Sequence, residues 1–187
     1  MKALIQRVMN AKVTVNNEIV SSIGQGICVF IGISNTDSKK DMEYIVRKIL
    51  SIKLFDDESE KKWKKSVSDR ELEILCVSQF TLYNTWKGNK PDFHHAMPGD
   101  KSKEFYENFL QMLKDAYKPD KVKDGKFAAY MQVSIQNDGP VTFEIESPAN
   151  LPSKERRSNN GTKQENKNET KQEKESEHLV EDSVDRV

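Results

Sequence analysis

Gly24–Ile33, GQGICVFIGI, sets a Gly-x-Gly break in front of a nearly continuous apolar run from Ile27 to Ile33. The run has strand length and no polar alternation, the pattern of a strand covered on both faces. A sheet with packed material on each side is therefore expected. Upstream, Lys2–Val8 and Lys12–Val15 are short β-rich runs, Asn16-Asn17 supplies a turn, and Glu18–Ile23 follows as a further strand. Downstream, Ser38 stands where a helix N-cap belongs. Met42, Ile45, Val46, Ile49 and Leu50 then fall at i, i+3, i+4, i+7 and i+8, one apolar stripe on a helix from Lys39 to Leu50.

Ser51–Phe55 reads as another strand and Asp56–Lys65 as a charged loop. Glu71–Leu82 reads as a strand ending in Ser78-Gln79-Phe80-Thr81-Leu82, with a Gly-, Asn- and Pro-rich loop from Asn84 to Asp100. Ser102–Tyr117 is a second amphipathic helix, with Phe105, Phe109, Met112, Leu113 and Ala116 on its expected buried side. Phe127, Ala129, Met131, Val133 and Ile135 alternate with Ala128, Tyr130, Gln132 and Ser134 as in a half-buried strand. Asn137-Asp138-Gly139-Pro140 breaks it and Val141–Glu146 resumes. The class is α+β, strand-dominated with two helices.

The 187 residues are 35% hydrophobic and 32% charged, but these averages hide a shift along the chain. Residues 1–149 form one expected domain, large enough to bury about 70% of its unfolded surface. Residues 150–187 are polar, with no aromatic residue from Ser153 onward. There Lys163, Lys167 and Lys171 recur every fourth residue, as do Glu165, Glu169, Glu173 and Glu177. Like charges at i, i+4 repel on a helix, so a disordered charged tail is expected, solubilising or open to a partner such as nucleic acid.

Thirty basic and thirty acidic residues leave no global positive field to attract nucleic acid. Two cysteines, Cys28 and Cys76, each inside an apolar run, make neither a disulfide framework nor a metal cluster and are expected to be buried structural thiols. The opening MKALIQRV is too short an apolar stretch for a signal peptide, and no run approaches a membrane span. A soluble cytosolic protein is expected, with a nuclear presence left open.

No nucleophile elbow, P-loop, metalloprotease helix motif or dinucleotide fingerprint occurs. Of the three histidines, His94 and His95 lie in a loop and His178 in the tail, so no side-chain triad is suggested and no metal or cofactor is expected. Two polar segments remain. Ser78-Gln79-Phe80-Thr81 turns an apolar strand into hydroxyl and amide groups whose backbone N–H groups could meet an oxyanion, or it is simply a satisfied strand end. Asn137-Asp138-Gly139-Pro140-Val141-Thr142 is either a plain hairpin turn or a specialised element, and the residues themselves do not fix the Gly–Pro isomer.

Taken with Lys2-Ala3, Gln6-Arg7-Val8, Gly24-x-Gly26, Lys87-Gly88-Asn89-Lys90-Pro91-Asp92-Phe93 and Lys123-Asp124-Gly125-Lys126-Phe127, the pair SQFTL and NDGPVT resembles the D-aminoacyl-tRNA deacylase family from Met1 to about Ser147. The resemblance implies a small β-barrel-like body with two helices, similar to an archaeal threonyl-tRNA synthetase editing domain. It also implies a homodimer that hydrolyses the ester of D-aminoacyl-tRNA, and of glycyl-tRNA, which has no side chain to reject. Gly139 and Pro140, joined by a cis bond, would enter the active site of the other subunit and exclude L-amino acids. Ser78 would bond near the substrate amino group, and the Phe80 and Thr81 amides would meet the ester carbonyl. A relative with relaxed chirality is similar but has Pro and Ala where this chain has Ser78 and Phe80, which places the chain with the stricter enzyme.

Thr81 lacks an adjacent base, so catalysis assisted by the terminal 2′-hydroxyl of the tRNA is expected, with Thr81 helping to shape the pocket and Gln79 counted with Ser78, Phe80 and Thr81 in the catalytic set that the resemblance implies. Phe127 and Met131 either line an adenine pocket or belong to plain core. Arg7 either supports the Gly–Pro element or forms a surface charge pair. Lys87, Asn89 and Lys90 either touch tRNA phosphates or are solvated. The competing function is a nucleic-acid-binding module that uses the same body and tail without hydrolysis.

Overall fold

A computed structural model describes residues 1–149; the charged tail expected from Asn150 lies outside the described residues. Strand β1 (Lys2–Val15) is one continuous element where two runs were expected, because its Met9 and Asn10 step is exposed yet still spanned by a partner strand. At Asn16 and Asn17 both φ angles are positive, as a two-residue hairpin into β2 (Glu18–Ile23) requires. β3 (Gly26–Gly32) pairs antiparallel with Lys2–Val8 of β1, while β2 takes Ala11–Val15 of the same edge. β4 (Glu73–Ser78) lies parallel to β3. A Cβ on Gly26 would sit 1.9 Å from the Glu73 carbonyl oxygen, so only glycine lets these two backbones meet.

Helix α1 (Lys39–Ser51) buries Met42, Ile45, Val46 and Ile49, each contributing about 1.5–3 kcal/mol of burial energy. Ser38 is its N-cap, in a capping box with Asp41 at the third helical position. The Asp41 carboxylate accepts from the Ser38 amide at 2.8 Å and from its hydroxyl at 2.7 Å. Ser51–Phe55 is not a strand: Ser51 closes the helix, and only Phe55 bridges to Lys65. Its apolar character reflects burial of Leu54 and Phe55 rather than ladder pairing. The strand expected to reach Leu82 stops at Ser78, and Phe80–Leu82 is a single 3-10 turn. The following loop holds a small hairpin, β5 (Thr85–Lys87) with β6 (Lys90–Asp92).

Helix α2 (Gly99–Ala116) buries Tyr106, Phe109, Leu110 and Leu113. Phe105 and Met112 are only half-buried and Ala116 is exposed, so the buried face is rotated from the expected one. Tyr106 can sit inside because its hydroxyl donates to Asp124 at 2.7 Å. That carboxylate is on β7 (Val122–Asp124), parallel to β4. β8 (Gln132–Glu146) covers the second edge of β1.

Two apolar clusters flank the sheet. Ile27, Val29, Ile31, Ile74 and Cys76 pack against α1 and α2, while Cys28, Leu75 and Val77 pack against Val13 and, from β8, Val133 and Ile135. The sheet thus curls back on itself into a nearly closed, barrel-like α+β body, and β3 is covered on both faces as its sequence foretold. Both cysteines are buried and free; burial pushes the Cys28 thiol up to about 12 and Cys76 well above its ordinary value, so neither is a reactive thiolate. Among the described residues no helix is long and apolar enough to cross a membrane.

Candidate active site

The parallel pair β3–β4 ends at Gly32 and Ser78. Gln79 still donates its amide to the Ile31 carbonyl at 2.8 Å, and the chain then turns sharply, with the Tyr83 amide closing on the Phe80 carbonyl at 3.0 Å. The amides of Phe80 and Thr81 open this turn, so no carbonyl within it lies one turn earlier to accept from them. The Gln79 side-chain amide donates to the Thr81 hydroxyl at 2.5 Å, and Asn84 fixes the Thr81 carbonyl at 2.8 Å. The result is a rigid polar lip.

Ser78, Gln79 and Phe80 border a cleft of about 630 Å³, within the range that holds small ligands. It is also lined by Phe127–Met131 with Val133, and by Ile31, Ile33 and Val77. Phe127 and Met131 were expected on a strand; they lie in a turn ahead of β8, with Ala128 at φ +57°. The alternation in sequence is real as burial, half-buried against exposed, but the backbone there is unpaired with β1. The turn is anchored below. Gly125 donates to the Cys76 carbonyl at 3.0 Å, Phe127 packs 5.7 Å from Tyr106, and the Lys126 amide points to the Met131 sulfur at 3.3 Å. Burial raises both Asp124 and Tyr106 from their ordinary values, which keeps the tyrosine hydroxyl a donor.

Sequence reasoning missed Phe93, Met97, Ser102 and Tyr130 as cleft residues. Phe93 meets Phe80 edge-to-face at 5.0 Å, and its place at the end of the KGNKPDF motif was the available signal. His94 and His95 are exposed on the loop surface, with His94 paired to Asp92.

Gly139, Pro140 and Arg7 are not brought into this cleft. Of the two readings left open for Gly139-Pro140, a plain hairpin turn or a specialised element, the structure has the second, as a bulge within β8. Gln6 pairs with Thr142 and Val8 with Asn137, so Arg7 alone faces Asp138 to Val141. Pro140 has no amide for the ladder, Gly139 sits at φ +113°, and the bond between them is cis. Arg7 grips the bulge: its Nε lies 3.1 Å from Asp138 Oδ2 and 3.3 Å from the Asp138 carbonyl, and Nη1 donates to the Leu54 carbonyl at 2.6 Å.

A second cleft, about 780 Å³, is lined by Asp37, Asp41, Tyr83, Glu146 and Ser147. Its carboxylates have the wrong sign for a phosphate-bearing ligand, and Asp37 and Asp41 already accept bonds from the Met1 ammonium, Ser34, Ser38 and Ser147. The Ser78 cleft is therefore the candidate.

The sequence pattern of the D-Tyr-tRNA(Tyr) deacylase family matches residues 4–146. The chain is 61% identical over 149 residues to D-aminoacyl-tRNA deacylase 1 of Bos taurus, covering 80% of this chain and 71% of that one. It is 60% identical over 148 residues to D-aminoacyl-tRNA deacylase of Drosophila melanogaster, covering 79% and 93%. A solved structure titled c-Myc DNA Unwinding Element Binding Protein is similar at 60% identity and TM-score 0.78, covering 80% of this chain and all of that one. A second, titled a probable eukaryotic D-amino acid tRNA deacylase, shares the fold at 22% identity and TM-score 0.64 over 77% of this chain and 98% of its own. The chain belongs to the D-Tyr-tRNA(Tyr) deacylase family.

Proposed function

We propose that this protein hydrolyses the ester bond joining a D-amino acid, or glycine, to the terminal adenosine of tRNA, in the cleft bounded by Ser78, Gln79 and Phe80. The observation that carries the reading is the 3-10 turn at the cleft's lip, whose first two amides have no acceptor within the turn. Such donors suit the oxygen of an ester carbonyl as negative charge develops on it. Phe127 and Met131 line the same cleft and would give the adenine an apolar seat, and Ser78, also on its lining, would bond near the substrate amino group.

Thr81 serves the pocket rather than attack. Its hydroxyl accepts from the Gln79 amide, a group that cannot take a proton in return, so nothing there raises its nucleophilicity. The 2′-hydroxyl of the terminal adenosine positions and activates water in its place. The Gly139-Pro140 bulge is held by Arg7 outside its own chain's cleft, which supports a role in the cleft of a second copy. There its backbone would occupy the space an L side chain needs, giving a cytosolic homodimer that selects by exclusion.

A similar structure carries a DNA-binding title, so a binding module that works without hydrolysis is the second reading. Full-length Thr81→Ala should retain substantial turnover on D-aminoacyl-tRNA and lose it on tRNA ending in 2′-deoxyadenosine. Loss on both substrates with tRNA binding intact would make Thr81 the nucleophile. No hydrolysis by the folded wild type would favour the binding module.

A further inference from the structure

The geometry points to the β5–β6 hairpin as a docking arm for the single-stranded 3′ end of the tRNA, with Trp86 as its stacking platform and Lys90 as its phosphate contact. This inference rests on the function proposed above and names how that substrate is gripped beyond its terminal nucleotide.

The hairpin is an excursion between two segments of the cleft wall. The chain leaves the cleft at Phe80, runs through Thr85–Lys87 and Lys90–Asp92, and re-enters it at Phe93. Phe80 and Phe93 touch at 5.0 Å, so both ends of the excursion are pinned to the rim. Three residues per strand carry the tip about 10 Å from that rim. Stacked nucleotides rise about 3.4 Å each, so the arm runs alongside about three of them.

Trp86 is 68% exposed, and Pro91, its direct cross-strand partner, is exposed beside it. The two make a flat apolar face. A lone exposed tryptophan would need no explanation. The contrast with Trp63 supplies one, because Trp63 packs edge-to-face on Phe143 whereas Trp86 has no aromatic partner among the described residues. A base has a π-face whatever its identity, so such a platform suits a single strand without reading its sequence.

The two lysines differ as well. Lys87 is tied to Asp92 at 2.5 Å, which stiffens the hairpin and neutralises that ammonium. Lys90 has no carboxylate partner among the described residues, and across the Gly88-Asn89 tip it is the charge left for a phosphate. Gly88 at φ +62° makes this tight tip possible.

The test uses the full-length protein with two esters, D-tyrosyl-tRNA and D-tyrosyl-adenosine, the second of which ends inside the cleft. Trp86→Ala should raise KM for the tRNA ester roughly tenfold. KM for the adenosine ester should not follow, which also reports an intact fold, and Trp86→Phe should restore most of the tRNA affinity. Lys90→Gln should make the fall of tRNA affinity with salt shallower by about 0.7 in the log–log slope, one phosphate contact on a single strand. Unchanged KM for both esters in Trp86→Ala overturns the arm, and so does an equal rise for both, which would mean that Trp86 only shapes the cleft. If the wild type cleaves neither ester, the proposed function falls and takes the arm with it. Cleavage of both by the wild type with no Trp86 effect leaves that function standing alone.

Discussion

Two strands of this body are interrupted by polar segments, and the interruptions face different ways. At the end of β4, Ser78, Gln79 and Phe80 border the cleft. In the middle of β8, Asp138–Val141 bulges out of the ladder and contributes nothing to that cleft. The first is fixed by backbone bonds from Gln79 and Tyr83, the second by one arginine reaching across from β1. The difference teaches that two polar interruptions can be housed apart: one borders the cleft at a strand end, and the other stands outside it, where the proposed function would give it to another copy.

The largest effect should come from breaking the first region. Phe80 opens a 3-10 turn, a place proline tolerates. Phe80→Pro removes a single amide and should lower kcat on D-aminoacyl-tRNA by about a hundredfold. Phe80→Ala, which keeps the amide, controls for the lost ring. Equal losses in the two variants would show that the amide does no work.

Breaking the second region should change selectivity more than rate. A Cβ on Gly139 would stand 2.9 Å from Val141 Cγ2 and 3.3 Å from Arg7 Nη2, at a φ that L residues rarely adopt. Gly139→Ala should therefore displace the bulge and narrow the ratio of D- to L-ester cleavage by about tenfold or more. An unchanged ratio would remove the bulge from chiral selection.

Arg7→Ala sharpens the comparison further, since Arg7 grips the bulge and does not line the cleft. It abolishes the Asp138 pair and leaves the Leu54 carbonyl without its donor, at a cost of about 2 kcal/mol. Thermal unfolding should drop by about 4–8 °C, and selectivity should fall with it. A fall in kcat for the D ester as large as that of Phe80→Pro would erase the separation of the two regions.

These interruptions also show what a sequence can carry. The buried face of α1 and the doubly covered β3 were legible because burial itself writes the periodicity. Phe127–Met131 alternates as a strand does, yet it is a turn, because alternation records which side chains are covered and not which amides are paired. Ser51–Phe55 misleads for the same reason. The Asn137–Pro140 break was visible but its form was not: a hairpin and a bulge place the same residue types at the same positions, and only the register against Arg7 tells them apart. Of the cleft lining, Ser78, Gln79 and Phe80 were readable. Phe93 and Tyr130 were not, because loops bring them in across the cleft.

The smallest effect concerns the hairpin beside the lip. Hydrogen bonds from Lys87 and His94 hold the Asp92 carboxyl below its ordinary 3.8. A depressed carboxylate stabilises above its unfolded value, and the contribution is lost as pH falls through the folded one. In a Trp63→Phe background, Trp86 emission should hold steady from neutral pH down to about 4 and shift only in stronger acid. A transition near neutrality would assign the hairpin's stiffness to another group.

The most direct measurement is release of amino acid from matched D-Tyr-tRNA and L-Tyr-tRNA by the purified full-length protein. Rapid cleavage of the D ester with the L ester spared is the expected result. Equal cleavage of both would contradict selection by exclusion, and cleavage of neither by folded protein would contradict the deacylase reading itself.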